Sequence, residues 1–389
     1  MPWPIPVLVD PQPPKRMDWR LWVAIFIAVL GIGSAAVLYL WPQGRHTDPV
    51  MFWNVLFGLP VGAFLVIFGL AFDRWLDARL KFREGTLENA RLNGLWQGWA
   101  NRYVDVVHAT TFLAETQGTD GWESGETVLP IHFGRACGFG WLDPKAGDER
   151  IQTLLDLVVD RMSDALAQIP TLEIVLLLDE GSMGESRQWE KIAREKLSRG
   201  KRQVEVRTLP ASTSLSFLQT RMDQDMGPAQ LLLAFQLWHG TGSRTYSEGG
   251  AAILLRPKVK AKPYRIPDAP GTGGRMFRPM VSGEDELEAD SRNLMNLQVD
   301  GKHVRNLWSS GLDEAALANI GNRLSVDYEC FRNMDTCLGL PGSASSWITL
   351  ALALDIGIRC GERQFVAVKE EGEKTLQCLV DSLVKDVSK

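Results

Sequence analysis

His239 and Glu248 are the pair of side chains that most invites a chemical reading. His239 opens the glycine-rich run HGTGS, Glu248 follows nine residues later, and a solvent-facing imidazole beside a carboxylate can bind or shuttle a proton. The run itself reads as a loop leaving a strand. Ser343 and Ser345 stand at the head of an apolar segment, where a hydroxyl can cap a helix N-terminus or meet a ligand. His108, His132 and Cys137 lie near one another, but their spacing fits no metal-ligand pattern. Cys330 and Cys337 read as small buried hydrophobes. RACGFG lacks the GxGxxG of a dinucleotide site, and there is no P-loop, GxSxG or HExxH. The expectation is no resident metal and no cofactor.

These residues need a scaffold, and the first part of the chain cannot supply a soluble one. Trp19–Trp41 carries one charge, Arg20, at its edge, and Met51–Phe72 carries none. Each is about twenty residues, enough at 1.5 Å per residue to cross about 30 Å of hydrocarbon. Trp19, Trp22 and Trp41 flank the first run and Trp53 and Trp75 the second, as interfacial tryptophans do. A cleaved signal peptide is rejected, because its apolar core is about 7–15 residues and no second span follows at once. Gly58 and Gly62 form a GxxxG that lets a helix approach, either the hairpin's own partner or a second copy in a homodimer.

Lys15, Arg16 and Arg20 precede the first span, Arg74, Arg79, Lys81 and Arg83 follow the second, and the loop between offers only Arg45. The positive-inside rule places both termini in the cytoplasm of a bacterial inner membrane. Residues 19–83 are then the lipid contact, basic flanks included. Five cysteines, all after the second span and with no CxxC, fit a reducing compartment. A net charge of −5 gives no reason to expect nucleic acid.

The expected organisation is a proline-rich tail over 1–18, disordered rather than a specific ligand, a transmembrane hairpin over 19–72, a helical connector over 73–101 and a cytoplasmic α/β domain over 102–389. Thr171–Asp179, Gln203–Leu209, Ala229–Trp238, Ala251–Leu255 and Gln364–Lys369 read as strands. The most apolar of these suit a sheet buried on both faces. Asp148–Gln168 and Ser186–Arg199 read as amphipathic helices. Pro263–Gly283 reads as a long exposed loop, with Ser282 and Asp285 capping the helix after it.

Three segments then resemble, in order, the β-ketoacyl synthases of the thiolase-like fold. SEGGAAILL (Ser247–Leu255) is similar to their GEGA turn and strand. HVRNLWSSGLD holds the place of the strand ending in the catalytic HGTGT. LGLPGSASSWITLALALD (Leu338–Asp355) holds the place of the GH turn and small-residue helix. The resemblance implies a layered α/β/α domain. It also implies a nucleophilic cysteine near Arg207–Thr220 and histidines near Ser309–Gly311 and at Leu340, and none is present. Ser212 and Ser214 are poor nucleophiles without an adjacent base. His239, Glu248, Ser309, Ser310, Ser343 and Ser345 are left as a candidate pocket. The expected function is a catalytically degenerate, membrane-held adaptor that binds another protein, as in accessory proteins that handle type VI secretion effectors. The alternatives are an enzyme acting on acyl chains or lipids at the membrane surface, and an immunity protein against a secreted toxin.

Overall fold

A computed structural model describes residues 3, 9–41, 48–114, 131–143, 145, 147–198, 202–224, 226–239, 244–257, 273–299, 303–370, 372 and 374–382. The loop residues 42–47 with Arg45, most of HGTGS and residues 258–272 of the proline- and glycine-rich stretch lie outside them. The chain forms two compact units, residues 5–96 and the remainder.

In the first unit, α1 (Trp19–Leu40) and α2 (Pro49–Ala100) are both long and apolar enough to cross a membrane. The second apolar run and the charged connector are one continuous helix, because no residue between them stops it. It begins with Asp48 accepting from the Val50 amide and Pro49 at the first position, where its missing N–H costs nothing. A π turn at Asn54–Gly58 precedes Pro60. Pro60 has no N–H to offer the Leu56 carbonyl, and the Ser34 hydroxyl of α1 donates to that oxygen instead, at 3.2 Å. Trp22, Phe26, Phe64 and Phe68 interlock by ring edges between the helices.

Residues 9–18 form no regular secondary structure, and the Val9 and Lys15 carbonyls accept from Asn89 and Trp75 of α2. Proline lowers the entropic cost of fixing such a stretch, so two donors suffice to hold it.

The second unit is built on one sheet. Its strands are β1 (Tyr103–Phe112), β2 (Thr171–Leu178), β3 (Gln203–Pro210), β4 (Ala229–Gln236), β5 (Gly249–Leu255) and β6 (Gly274–Phe277). β7 (Met280–Ser282), β8 (Asn306–Ser310), β9 (Phe331–Asn333), β10 (Gln364–Glu370) and β11 (Lys374–Ser382) complete it. The order is β3-β2-β4-β5-β1-β6-β11-β10-β8-β9, with β7 beside β11. β2 pairs parallel with β3 and β4, and β5 runs antiparallel between β4 and β1. β8 pairs parallel with β9 and β10, and β11 runs antiparallel between β10 and β6. Each half therefore repeats one five-strand pattern, and β1 joins β6 antiparallel where the halves meet. This duplicated, mixed, helix-covered sheet is the thiolase-like fold.

α3 (Asp148–Arg161) and α4 (Ser186–Leu197) cover the outer face of the first half with Leu154, Leu155, Val158, Trp189 and Ile192. α5 (Phe217–Asp223) and α6 (Ser345–Cys360) lie on the inner face. α6 is apolar on several sides and buries Trp347, Ile348, Leu350, Leu352 and Leu354, each worth about 1.5–3 kcal/mol of burial. The expected long loop is corrected by β6 and β7, since Met276, Arg278, Met280, Val281 and Ser282 are buried. Gly274 fits against Ile358 and Pro279 lies in the break between the strands, so both residues serve the sheet. Ser282 is inside β7, and the helix Leu287–Leu294 starts with no side-chain cap.

Candidate functional site

The ends of β4, β5 and β8 converge on the N-terminus of α6. A cavity of about 30 Å³ lies there, with Gln236 and Glu248 from the first half and Ser310, Asp335, Leu340 and Ser345 from the second. That volume holds about two water molecules, far less than an acyl chain.

The two inner helices begin alike. Gln236, the last residue of β4, accepts from the Ala344 amide at 2.9 Å and donates to the Ser247 carbonyl at 2.6 Å. Glu370, the last residue of β10, accepts from the Leu215 amide at 2.9 Å and the Ser214 hydroxyl at 2.5 Å. Each half thus holds the turn that leads into the other's inner helix. Burial raises the Glu370 pKa, and hydrogen bonds from Ser214 and Leu215 only partly oppose it. Trp347 of α6 donates to the Thr213 carbonyl at 3.0 Å and ties this loop to the core.

Ser214 lies in the stretch that the resemblance assigns to the nucleophile, and Ser212 beside it is exposed. Ser310 lies where the first histidine is expected. Its hydroxyl donates to Asp335 at 2.7 Å, and the Gly311 amide donates to the same carboxylate at 2.6 Å. Burial raises the Asp335 pKa. Ser309 is buried in β8 with no hydrogen-bond partner for its Oγ among the described residues. Leu340, at the second histidine place, donates its amide to Arg135 and accepts from the Ser247 amide. Gly339 before it has φ +85°, and a Cβ there would lie 2.1 Å from the Arg135 carbonyl oxygen.

His239 and Glu248 have different partners. Glu248 is buried and is held by Arg150 and by the Phe139 and Trp238 amides, both at 2.7 Å. His239 has its Nε2 2.9 Å from the Ser182 hydroxyl and 3.7 Å from Asp179. Asp179 caps the helix Glu180–Met183 through the Ser182 amide and also accepts from the Leu237 amide. Ser182 was not among the candidates read from the sequence, although DEGS after an apolar strand is a helix-start signal. Tyr246 donates to the Leu237 carbonyl, and burial, then the charges of Asp179, Glu248 and Glu180, push its pKa up to about 12. Ser343 is exposed and Ser345 accepts from the Gly342 amide, so neither serine gives the expected cap, and the helix starts with no side-chain cap.

Among the described residues no group of three or more His, Cys, Asp or Glu side chains could hold a metal ion. His108 lies in β1, where burial and then the charges of Arg161 and Arg359 lower its pKa. His132 lines the cavity. Cys337 is buried and Cys330 half-buried.

No protein-family model matches the chain, and no curated protein matches it. Among solved structures, an oxazolomycin ketosynthase domain from Streptomyces albus is 13% identical with a TM-score of 0.46, over 72% of this chain and 96% of its own. A 3-oxoacyl-[acyl-carrier-protein] synthase III from Aquifex aeolicus is 9% identical at 0.42, over 72% and 100%. A variant of OleA from Xanthomonas campestris is 11% identical at 0.43, over 72% and 99%.

Proposed function

We propose that this chain is a membrane-anchored adaptor whose thiolase-like unit binds another protein in place of condensing acyl chains. The observation that carries the reading is how the reaction centre is filled. Where the resemblance asks for a cysteine and two histidines stand Ser214, Ser310 and Leu340. The two hydroxyls are hydrogen-bonded to carboxylates, and the cavity beside Ser310 and Leu340 has room for about two waters. Condensation needs an accessible nucleophile and donors that meet the developing oxyanion. The partner class that the resemblance implies is an effector or component of a type VI secretion machine.

The test is gentle detergent extraction of the tagged full-length protein from its native host, identification of co-purifying proteins, and reassembly of any pair from purified parts in nanodiscs. A stoichiometric complex is expected. A monodisperse protein that carries and rebuilds no complex would overturn the adaptor reading.

One observation favours a second reading, an acyl hydrolase at the membrane surface. Glu370 has a raised pKa and touches the Ser214 hydroxyl, so it could take that proton as the oxygen attacks an ester carbonyl. Turnover of acyl esters or thioesters by the wild type, lost in Ser214→Ala, would support it. The absence of turnover across such substrates would remove it.

A further inference from the structure

We propose that one face of α2 is a binding site for an extended, proline-rich chain, and that its resident ligand is the protein's own residues 9–17. Three contacts fall in reverse order along the two segments. Trp75 Nε1 donates to the Lys15 carbonyl at 3.1 Å. Gly85 lies against Pro11, and a Cβ there would be 3.3 Å from the proline Cβ. Asn89 Nδ2 donates to the Val9 carbonyl at 3.1 Å. Six residues of polyproline II at about 3.1 Å each cover about 19 Å, and fourteen helical residues at 1.5 Å cover about 21 Å. The two segments therefore keep step.

The burial pattern marks one covered face on each segment. Half-buried positions on α2 fall at Trp75, Phe82, Gly85, Asn89, Leu92 and Trp96, the spacing of one helical face. In the tail they fall at Pro11, Pro14 and Met17, the three-residue repeat of a polyproline helix with one side covered. Such a chain makes no internal hydrogen bonds and offers its carbonyls to outside donors, which an indole and a carboxamide supply here. A glycine gives the proline ring room.

The experiment uses the full-length protein in nanodiscs, assembled from two differently tagged copies. Val9→p-benzoylphenylalanine places a photo-crosslinker where the tail meets Asn89, and mass spectrometry locates the product. Crosslinks are expected within one chain, to the segment around Gly85–Leu92. Trp75→Phe, which removes one donor, is expected to lower their yield about fivefold. Gly85→Val is expected to abolish them while circular dichroism shows the helix intact. Crosslinks between the two tagged copies would overturn the assignment to the chain's own tail. A yield unchanged in both variants would overturn the groove.

Discussion

Glu370 holds the N-terminus of a helix from the opposite half of the sheet, and burial lifts its carboxyl above the ordinary 4.5. A raised folded-state pKa means that the fold favours the protonated form. Its stabilising contribution is complete below the ordinary value and is lost as pH rises through the folded-state value. Thermal melts from acid to neutral pH should therefore show the wild type losing stability relative to Glu370→Gln as pH rises. Parallel curves would refute this. Asp335, also raised by burial, titrates in both proteins and cancels from the comparison. Glycine gives a second test. Gly339 and Gly134 both have positive φ, but only at Gly339 would a Cβ meet backbone. Gly134→Ala should cost about 1 kcal/mol, the left-handed penalty alone, and Gly339→Ala clearly more than 2. Urea unfolding of the detergent-solubilised protein separates the two, and equal costs would refute the close packing.

The hairpin offers the cleanest experiment on an element. Ser34 matters because Pro60 leaves the Leu56 carbonyl without a helical donor. Ser34→Ala should destabilise the hairpin by about 0.6 kcal/mol, the average for such bonds in membranes. The loss should vanish in a Pro60→Ala background, where the helix supplies its own N–H. A double-mutant cycle in detergent measures this coupling, and additive costs would exclude it. Elements such as this one divide by how they can be read. The spans, β2, β4 and α6 are legible because their apolar runs are long and uninterrupted. β1 is not, since YVDVVHATTF mixes polar and apolar residues to pair with β5 and β6. β6 and β7 are hidden by the glycines and prolines around them. Of the candidate site, Glu248, Ser310 and Ser345, which line the cavity, are legible. The bonds from Gln236 and Glu370 to the turns before the inner helices are not, because each partner lies more than a hundred residues away with no motif to mark it.

At the scale of the whole molecule, the chain divides into two compact units, and the division does not cut the sequence at one point. Trp3 precedes the first span, yet it belongs to the same compact unit as Gln97–Lys389. Its indole N–H donates to the Pro279 carbonyl, and its ring meets the edge of Trp99. Residues before α1 and residues from Gln97 onward thus belong to one compact unit. Basic residues flank the two ends of the hairpin, so the positive-inside rule makes the side of the membrane a testable expectation. Trp3→Ala should lower the stability of the body by about 3 kcal/mol, the usual cost of emptying a buried tryptophan site. Sidedness is tested with a membrane-impermeant maleimide on intact cells. Asp48→Cys, between the spans, should label at once; Asp10→Cys and Asp73→Cys should label only after permeabilisation. The five native cysteines follow the second span, so they add no signal before that step if the arrangement holds. Labelling of Asp10→Cys from outside would reverse the hairpin, and labelling of Asp10→Cys and Asp73→Cys from opposite sides would show that the chain crosses once. That second result would also require Trp3 to leave its place on the sheet, so the Trp3→Ala melt and the labelling must agree.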